Sequence, residues 1–258
     1  MLFETTRNLS SPELTVTKFL KFIIKNVSLP RSGNLVALDD PYTAIKELLK
    51  FKSVTGIVDA GASNGRVASK LLRCCPSARV FAFEPNPMYA GDLKERAAED
   101  SRISPQHFAL SNRAGKVRLN VTESPGMTSL FAVSEQLQKA YPKETAVKEA
   151  LEVECITIDE WVKANGNPRI ELMKLDIQGG ELLALKGAVE ELKRSTLLIY
   201  SEIFFNPLYQ GGALYSEIDL FLREQGFSLF NIYKPRSNRN DMLVQANAIF
   251  IKTREFGF

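Results

Sequence analysis

Four carboxylates stand where apolar runs stop: Asp59 after Gly56-Ile-Val, Glu84 after Arg79–Phe83, Asp176 after Ile170–Leu175 and Glu202 after Leu197–Tyr200. If those runs are parallel strands of an open α/β sheet, all four acids emerge at its carboxyl edge, where such sheets hold their ligands. Acids gathered there cost free energy unless a cation or a proton compensates them. Asp59 heads Asp59-Ala-Gly-Ala-Ser-Asn-Gly65, in which Gly61 permits a tight turn and Gly65 a close approach of ligand or helix. The spacing is Gly-x-x-x-Gly, neither the dinucleotide Gly-x-Gly-x-x-Gly nor a phosphate loop ending in Gly-Lys. A carboxylate beside the turn also disfavours a pyrophosphate. It suits a positively charged ligand, and S-adenosylmethionine (SAM), with a sulfonium and an ammonium, is one. Ala62, Ser63 and Asn64 complete the turn that would hold it. Glu84, with Pro85 and Asn86 after it, can accept the two ribose hydroxyls of an adenosine group.

Other positions carry less. Asp176 and Glu202 read as an acid/base pair, or as ligands of a divalent ion such as Mg²⁺ that would lower the pKa of an acceptor hydroxyl. His107 is the one histidine, so any His-based step must use it. No Gly-x-Ser-x-Gly elbow supports a Ser/His/Asp triad.

The elements that must position these residues alternate. Gly56–Asp59, Arg79–Phe83, His107–Leu110, Ile170–Leu175 and Leu197–Tyr200 read as strands, and Phe227–Tyr233 and Ala246–Ile251 close the chain as two more. Arg66–Arg73, Met88–Glu99, Glu181–Leu192 and Tyr215–Gln225 read as helices between them. That rhythm predicts a doubly wound α/β sheet over residues 53–258. Residues 122–151 break it. They form a polar excursion of lid-like length between strands Val117–Val121 and Val153–Ile158, and a capping box, Thr157-Ile-Asp-Glu160, follows. Residues 1–52 read as a helical extension, with one helix over Pro12–Lys25, a break at Pro30–Gly33, and a second over Tyr42–Phe51 started by Asp40-Pro41.

Composition bounds the rest. With 258 residues, 45% of them hydrophobic, the chain can bury one sizeable core. The 33 basic and 30 acidic residues nearly cancel, which argues against a nucleic-acid partner. Cys74, Cys75 and Cys155 form neither a disulfide framework nor a zinc cluster, as expected of reduced thiols in the cytoplasm. The first ten residues lack the apolar core of a signal peptide, and no apolar run approaches the ~20 residues of a membrane span. Lys18–Lys25 is basic and amphipathic, suited to packing on the main domain or touching a membrane surface. Oligomeric state is not legible.

The chain resembles the FkbM family of SAM-dependent methyltransferases. The resemblance is carried by Val-Asp-Ala-Gly-Ala-Ser-Asn-Gly65, Phe-Ala-Phe-Glu-Pro-Asn-Pro87, His-Phe-Ala-Leu-Ser111, Gly126-Met-Thr-Ser-Leu130, Thr-Ile-Asp-Glu-Trp161 and the block Met-Lys-Leu-Asp-Ile-Gln-Gly-Gly-Glu through Leu-Lys-Gly187. It implies a class I methyltransferase (Rossmann-like) fold, usually seven mostly parallel strands with the last antiparallel. It also implies SAM as cofactor and O-methylation of a sugar, glycan or natural-product hydroxyl. By motif position Asp59, Gly61, Gly65 and Glu84 become SAM contacts, Ala109 and Leu110 an adenine wall, and Asp176 the acid of a Lys-x-Asp motif; the polar excursion 122–151 is expected to order over the cofactor and to contribute acceptor contacts at Thr128 and Ser129. Two positions depart from the family pattern: Ser63 replaces a usual Asn, and Gln178 a usual Glu, which removes one acid near the expected site. The alternatives are a non-catalytic SAM-binding protein and a nicotinamide-dependent oxidoreductase, the latter disfavoured by the turn spacing.

Overall fold

A computed structural model describes residues 40–238 and 240–257. The expected helix Pro12–Lys25, with its amphipathic Lys18–Lys25, and the break at Pro30–Gly33 lie outside them. The elements, in chain order, are α1 (Pro41–Leu49), β1 (Gly56–Ala60), α2 (Arg66–Cys74), β2 (Arg79–Phe83), α3 (Ala90–Glu99), β3 (Ile103–Gln106), β4 (Ala109–Leu110), β5 (Gly115–Thr122), α4 (Glu135–Ala140), β6 (Val147–Ile156), α5 (Ile158–Ala164), β7 (Leu172–Leu175), α6 (Glu181–Lys186), α7 (Val189–Arg194), β8 (Leu198–Phe204), α8 (Tyr215–Glu224), β9 (Phe227–Ser237), β10 (Leu243–Lys252) and α9 (Thr253–Phe256).

Seven strands form one sheet in the order β3-β2-β1-β7-β8-β10-β9. All neighbours are parallel except β10, which runs antiparallel to both β8 and β9. This is the class I methyltransferase arrangement, an α/β doubly wound sheet with the last strand reversed. Strand order turns back between β1 and β7, so their carboxyl ends open a crevice at a topological switch point. Helices cover both faces, and β1, β7 and β8 are therefore buried along their whole length. Val58, Met173, Ile199 and Phe250 join one core with Trp161, Leu185 and Leu222 from the helices. Trp161 meets Phe81 at a tilt and Phe83 edge-on, and its indole N–H donates to Gln106 Oε1 at 3.0 Å.

Local signals act as expected at two helix starts. Asp40 accepts from the Tyr42 backbone N–H at 3.1 Å, with Pro41 at the first position of α1. The Thr157/Glu160 capping box closes reciprocally.

Three details differ from the sequence reading. The third strand of the large sheet is β3, not His107–Leu110; Ala109–Leu110 joins β5 and β6 in a separate three-stranded sheet, and His107 is an exposed connector. Glu181–Leu192 is two helices, because the chain is pinned at Gly187, where a Cβ would lie 2.1 Å from the Ser111 carbonyl oxygen. The excursion is shorter than 122–151. β5 and β6 pair from Gly115 to Val147, leaving about residues 123–146 outside the hairpin. That segment is tied down at Asn120–Ser129 and at Val133–Tyr209.

Candidate active site

At the β1–β7 crevice the two strand ends nearly touch: a Cβ on Gly61 would lie 2.0 Å from the Asp176 carbonyl oxygen, and φ there is +74°. Only glycine allows both. The Gly61 and Ala62 amides both donate to the Phe83 carbonyl at 3.0 Å, which ties the turn to the end of β2. Glu84 follows at once and is buried. One carboxylate oxygen accepts from the Ser63 N–H at 2.9 Å, the other from the Asn86 N–H at 2.9 Å. Burial raises its pKa, and those two N–H groups draw it back down. Each oxygen keeps a further lone pair for a ligand hydroxyl.

A cavity lies over these residues. Gly61, Ser63, Glu84 and Pro85 form its floor, Phe108, Ala109 and Leu110 one wall, and Thr128 and Ser129 part of its cover. Asp176 and Gln178 close the remaining side. Phe108, Leu130 and Gln178 were not anticipated as lining. Phe108 and Leu130 stand in the sequence beside Ala109 and Ser129, the signal by which they can be found.

Not every expected residue faces this space. Asp59 is fully buried behind the turn, and its register with Lys174 of β7 puts the two side chains on the same face of the sheet. There it meets Lys174, whose Nζ stands 3.2 Å from Asp59 Oδ1 but aims its hydrogens at the carbonyls of Ala60 (3.1 Å) and Gly61 (3.0 Å). The pair is therefore a contact of charges rather than a well-aligned hydrogen bond. Burial raises the Asp59 carboxyl and the ammonium lowers it. Burial also lowers Lys174, but Asp59 and Asp176 outweigh that and push it up to about 12. The acid at the head of the turn is thus compensated inside the protein and not by a ligand, which corrects the sequence argument from an acidic turn. Ala62, Asn64, Gly65 and Asn86 also lie outside the lining. Asn64 Oδ1 accepts from Arg66 N–H, Asn86 Oδ1 from Met88 N–H, and a Cβ on Gly65 would press on Leu93 and Arg96 of α3. These residues shape the loops. His107 is exposed and is not among the residues that line the cavity.

Asp176 and Glu202 do come together, through Gln178. Its amide Nε2 donates to Asp176 Oδ1 at 2.8 Å and to Glu202 Oε2 at 2.6 Å, while its Oε1 accepts from the Tyr209 hydroxyl at 2.5 Å. These partners fix which end of the amide is nitrogen. Gln245 adds a second donor to Glu202 at 3.1 Å. Glu202 sits inside β8 rather than at its end and is buried behind Gln178. Burial, then the charges of Asp176 and Glu181, hold its pKa well above the usual carboxylate range. Asp176 is the open member, with its side chain 41% accessible at the cavity edge and Lys174 Nζ 3.9 Å away.

The loop carrying Gln178 is over-determined. Its φ is +55°, a left-handed conformation that costs a non-glycine residue of order 1–3 kcal/mol. Ser129 Oγ donates to its carbonyl at 2.6 Å, and buried Glu181 accepts from the Ile177 and Gly179 amides at 2.9 and 3.0 Å. Ser129 is thereby committed to holding the cover on the loop, and Thr128 faces the cavity beside it. Among the described residues there is no group of three or more His, Cys, Asp or Glu side chains placed to hold a metal ion.

The methyltransferase FkbM domain model matches residues 59–229. Over 162 residues the chain is 28% identical to 2-O-methyltransferase NoeI of Sinorhizobium fredii, covering 60% of this chain and 65% of that protein. Over 131 residues it is 27% identical to hexuronic acid methyltransferase AglP of Haloferax volcanii, covering 49% of this chain and 48% of that one. The matched stretch thus spans just under two thirds of the first relative and about half of the second. Among solved structures, a methyltransferase FkbM from Methylobacillus flagellatus superposes with a TM-score of 0.53 at 17% identity, over 83% of this chain and 48% of its own. That likeness bears on the fold.

Proposed function

The chain belongs to the FkbM methyltransferase family, and we propose that it moves the methyl group of SAM onto a hydroxyl of a sugar-containing acceptor. The observation that carries this reading is one cavity lined by both Glu84 and Asp176. The donor set fits the cofactor. The free lone pairs of Glu84 suit ribose hydroxyls, and the apolar wall of Phe108, Ala109 and Leu110 suits an adenine face. When bound, SAM supplies an electrophilic methyl on a sulfonium whose sulfur leaves as a neutral thioether.

Asp176 is placed to take the proton of the attacking hydroxyl, a general-base role worth ~10²–10⁴-fold in rate. Gln178 fixes the carboxylate's direction, and Lys174 keeps a positive charge near it. Thr128 contributes to the acceptor side, and residues 123–134 exclude water above the cavity. A Mg²⁺ ion shared by Asp176 and Glu202 is not supported, because the donor amide of Gln178 lies between them. The hexuronic acid named for one relative, and the 2-O position named for another, favour a glycan hydroxyl as the acceptor. The free thiols of Cys74, Cys75 and Cys155 support a reducing compartment such as the cytoplasm. Among the described residues no helix is long and apolar enough to cross a membrane.

The test is transfer of labelled methyl from SAM to a panel of saccharides, with S-adenosylhomocysteine affinity measured in parallel. Binding without transfer to any acceptor would leave a SAM-binding protein in place of an enzyme, and no binding at all would end the proposal.

A further inference from the structure

A second cleft opens beside Tyr42. Four cationic side chains from three elements line it: Lys46 of α1, Lys70 and Arg73 of α2, and Lys234 of β9. Lys70 and Arg73 are three apart on a helix and so share a face. The one carboxylate there, Asp40, is already engaged at the start of α1 by the Tyr42 N–H (3.1 Å) and the Thr43 hydroxyl (2.8 Å). Four cations against one carboxylate leave a local excess of three, as large as the +3 carried by the whole chain. Like charges gathered in a concave surface raise the local concentration of anions. Some cationic side chains elsewhere in this fold are paired, as in Arg102–Asp100, Arg194–Glu191 and Arg223–Asp219. Among the described residues none of these four makes an ion pair.

Packed aromatic rings link the cleft to the Lys174–Asp176 cluster. Lys70 Nζ lies 5.2 Å from the Tyr42 ring centre, and that ring meets Tyr200 edge-on at 6.0 Å. Tyr200 stands opposite Lys174 in the β7–β8 register, two residues before Glu202. Two aromatic rings therefore separate the cations from the Lys174–Asp176 cluster. The Tyr42 phenol, pushed up to about 12 by burial, also feels the charges of Lys174, Asp59 and Asp176.

We propose that this cleft binds an anionic group of the acceptor, a carboxylate or a phosphate on a sugar, and so selects acidic saccharides for methylation. The inference rests on the hydroxyl-methylation reading above. An arginine flanked by lysines offers a planar two-pronged donor and mobile point charges, a set that suits either oxyanion. Neutral sugars gain nothing from it.

The experiment titrates full-length protein, with S-adenosylhomocysteine present, against glucuronate, glucose 6-phosphate and glucose, followed by NMR. The same titrations are run on Lys46→Glu/Arg73→Glu. Both positions are exposed, so the variant is expected to fold. The expected result is binding of at least one acidic sugar in preference to glucose. That binding weakens about tenfold or more in the variant, the loss of one to two charge-assisted bonds, while S-adenosylhomocysteine affinity is unchanged. Glucuronate against glucose 6-phosphate tells carboxylate from phosphate. Equal binding of glucose and the acids, no binding of either acid, or unchanged acid binding in the variant overturns the proposal. Loss of S-adenosylhomocysteine binding in the wild type would instead sink the methyltransferase reading and leave anion binding to be judged by itself.

Discussion

The side-chain amide of Gln178 donates to Asp176 at 2.8 Å, and the same nitrogen reaches Glu202 at 2.6 Å. An acid at position 178 would face two carboxylates with no proton to offer, so a glutamine there makes a self-sufficient hydrogen-bonded group. Wild-type methyl transfer is accordingly expected to survive exhaustive chelation. Gln178→Glu should lower the melting temperature, by an amount that divalent ion partly restores, with no such effect of the ion on wild type. Thermal melts with EDTA and with Mg²⁺ check both, and loss of wild-type activity in EDTA would return the metal to the site.

Glu84 is the expected anchor for the ribose. Glu84→Gln keeps the side chain's shape but exchanges one acceptor for a donor beside the Ser63 and Asn86 amides. S-adenosylhomocysteine affinity should fall by ~1–3 kcal/mol, roughly five- to 150-fold. Calorimetry on folded variant, with its melting temperature recorded alongside, measures this. An unchanged affinity removes Glu84 from the binding site.

Asp59 should matter to stability more than to direct ligand contact. Lys174→Met leaves a fully buried carboxylate without its cation, at a cost of about 3–5 kcal/mol. Adding Asp59→Asn should recover part of that loss, since the uncompensated charge goes with it. Urea unfolding of the two single variants and the double variant gives the coupling. Additive losses would mean the two residues do not act as a pair.

Burial, opposed only in part by backbone N–H groups, raises the Glu181 carboxyl from the ordinary 4.5 to about 7. Between those values the folded protein holds this proton more tightly than the unfolded chain. Its contribution therefore favours folding at the acid end of the window and is lost as pH rises through about 7. Glu181→Gln should lose less stability than wild type between pH 5 and pH 8, on the order of a few degrees in melting temperature. Parallel pH slopes for the two proteins would show that Glu181 does not titrate in this range.

Much of this protein was legible in its residues. Apolar runs at βα spacing, two glycines around a tight turn and a capping box each act locally or with a fixed period, so a linear reading recovers them. The sheet, the Glu84 position after β2 and the placement of Asp176 at the crevice followed from that. What the linear reading missed depends on which face of a strand a side chain takes and on what packs there. Asp59 looked like a ligand group because it precedes the glycines, yet alternation along β1 turns it toward Lys174 of the neighbouring strand. Lys174 sits inside a run that reads as apolar, and only the pairing of β1 with β7 explains why a charge is tolerated there. Gln178 looked like a missing acid, while the folded chain makes it the junction of Asp176, Glu202 and Tyr209, residues up to 33 positions apart in sequence. The cations of the second cleft come from α1, α2 and β9, and no spacing in the chain announces their meeting. Periodicity is written residue by residue, whereas charge compensation requires partners from distant segments, and only the tertiary structure brings those together.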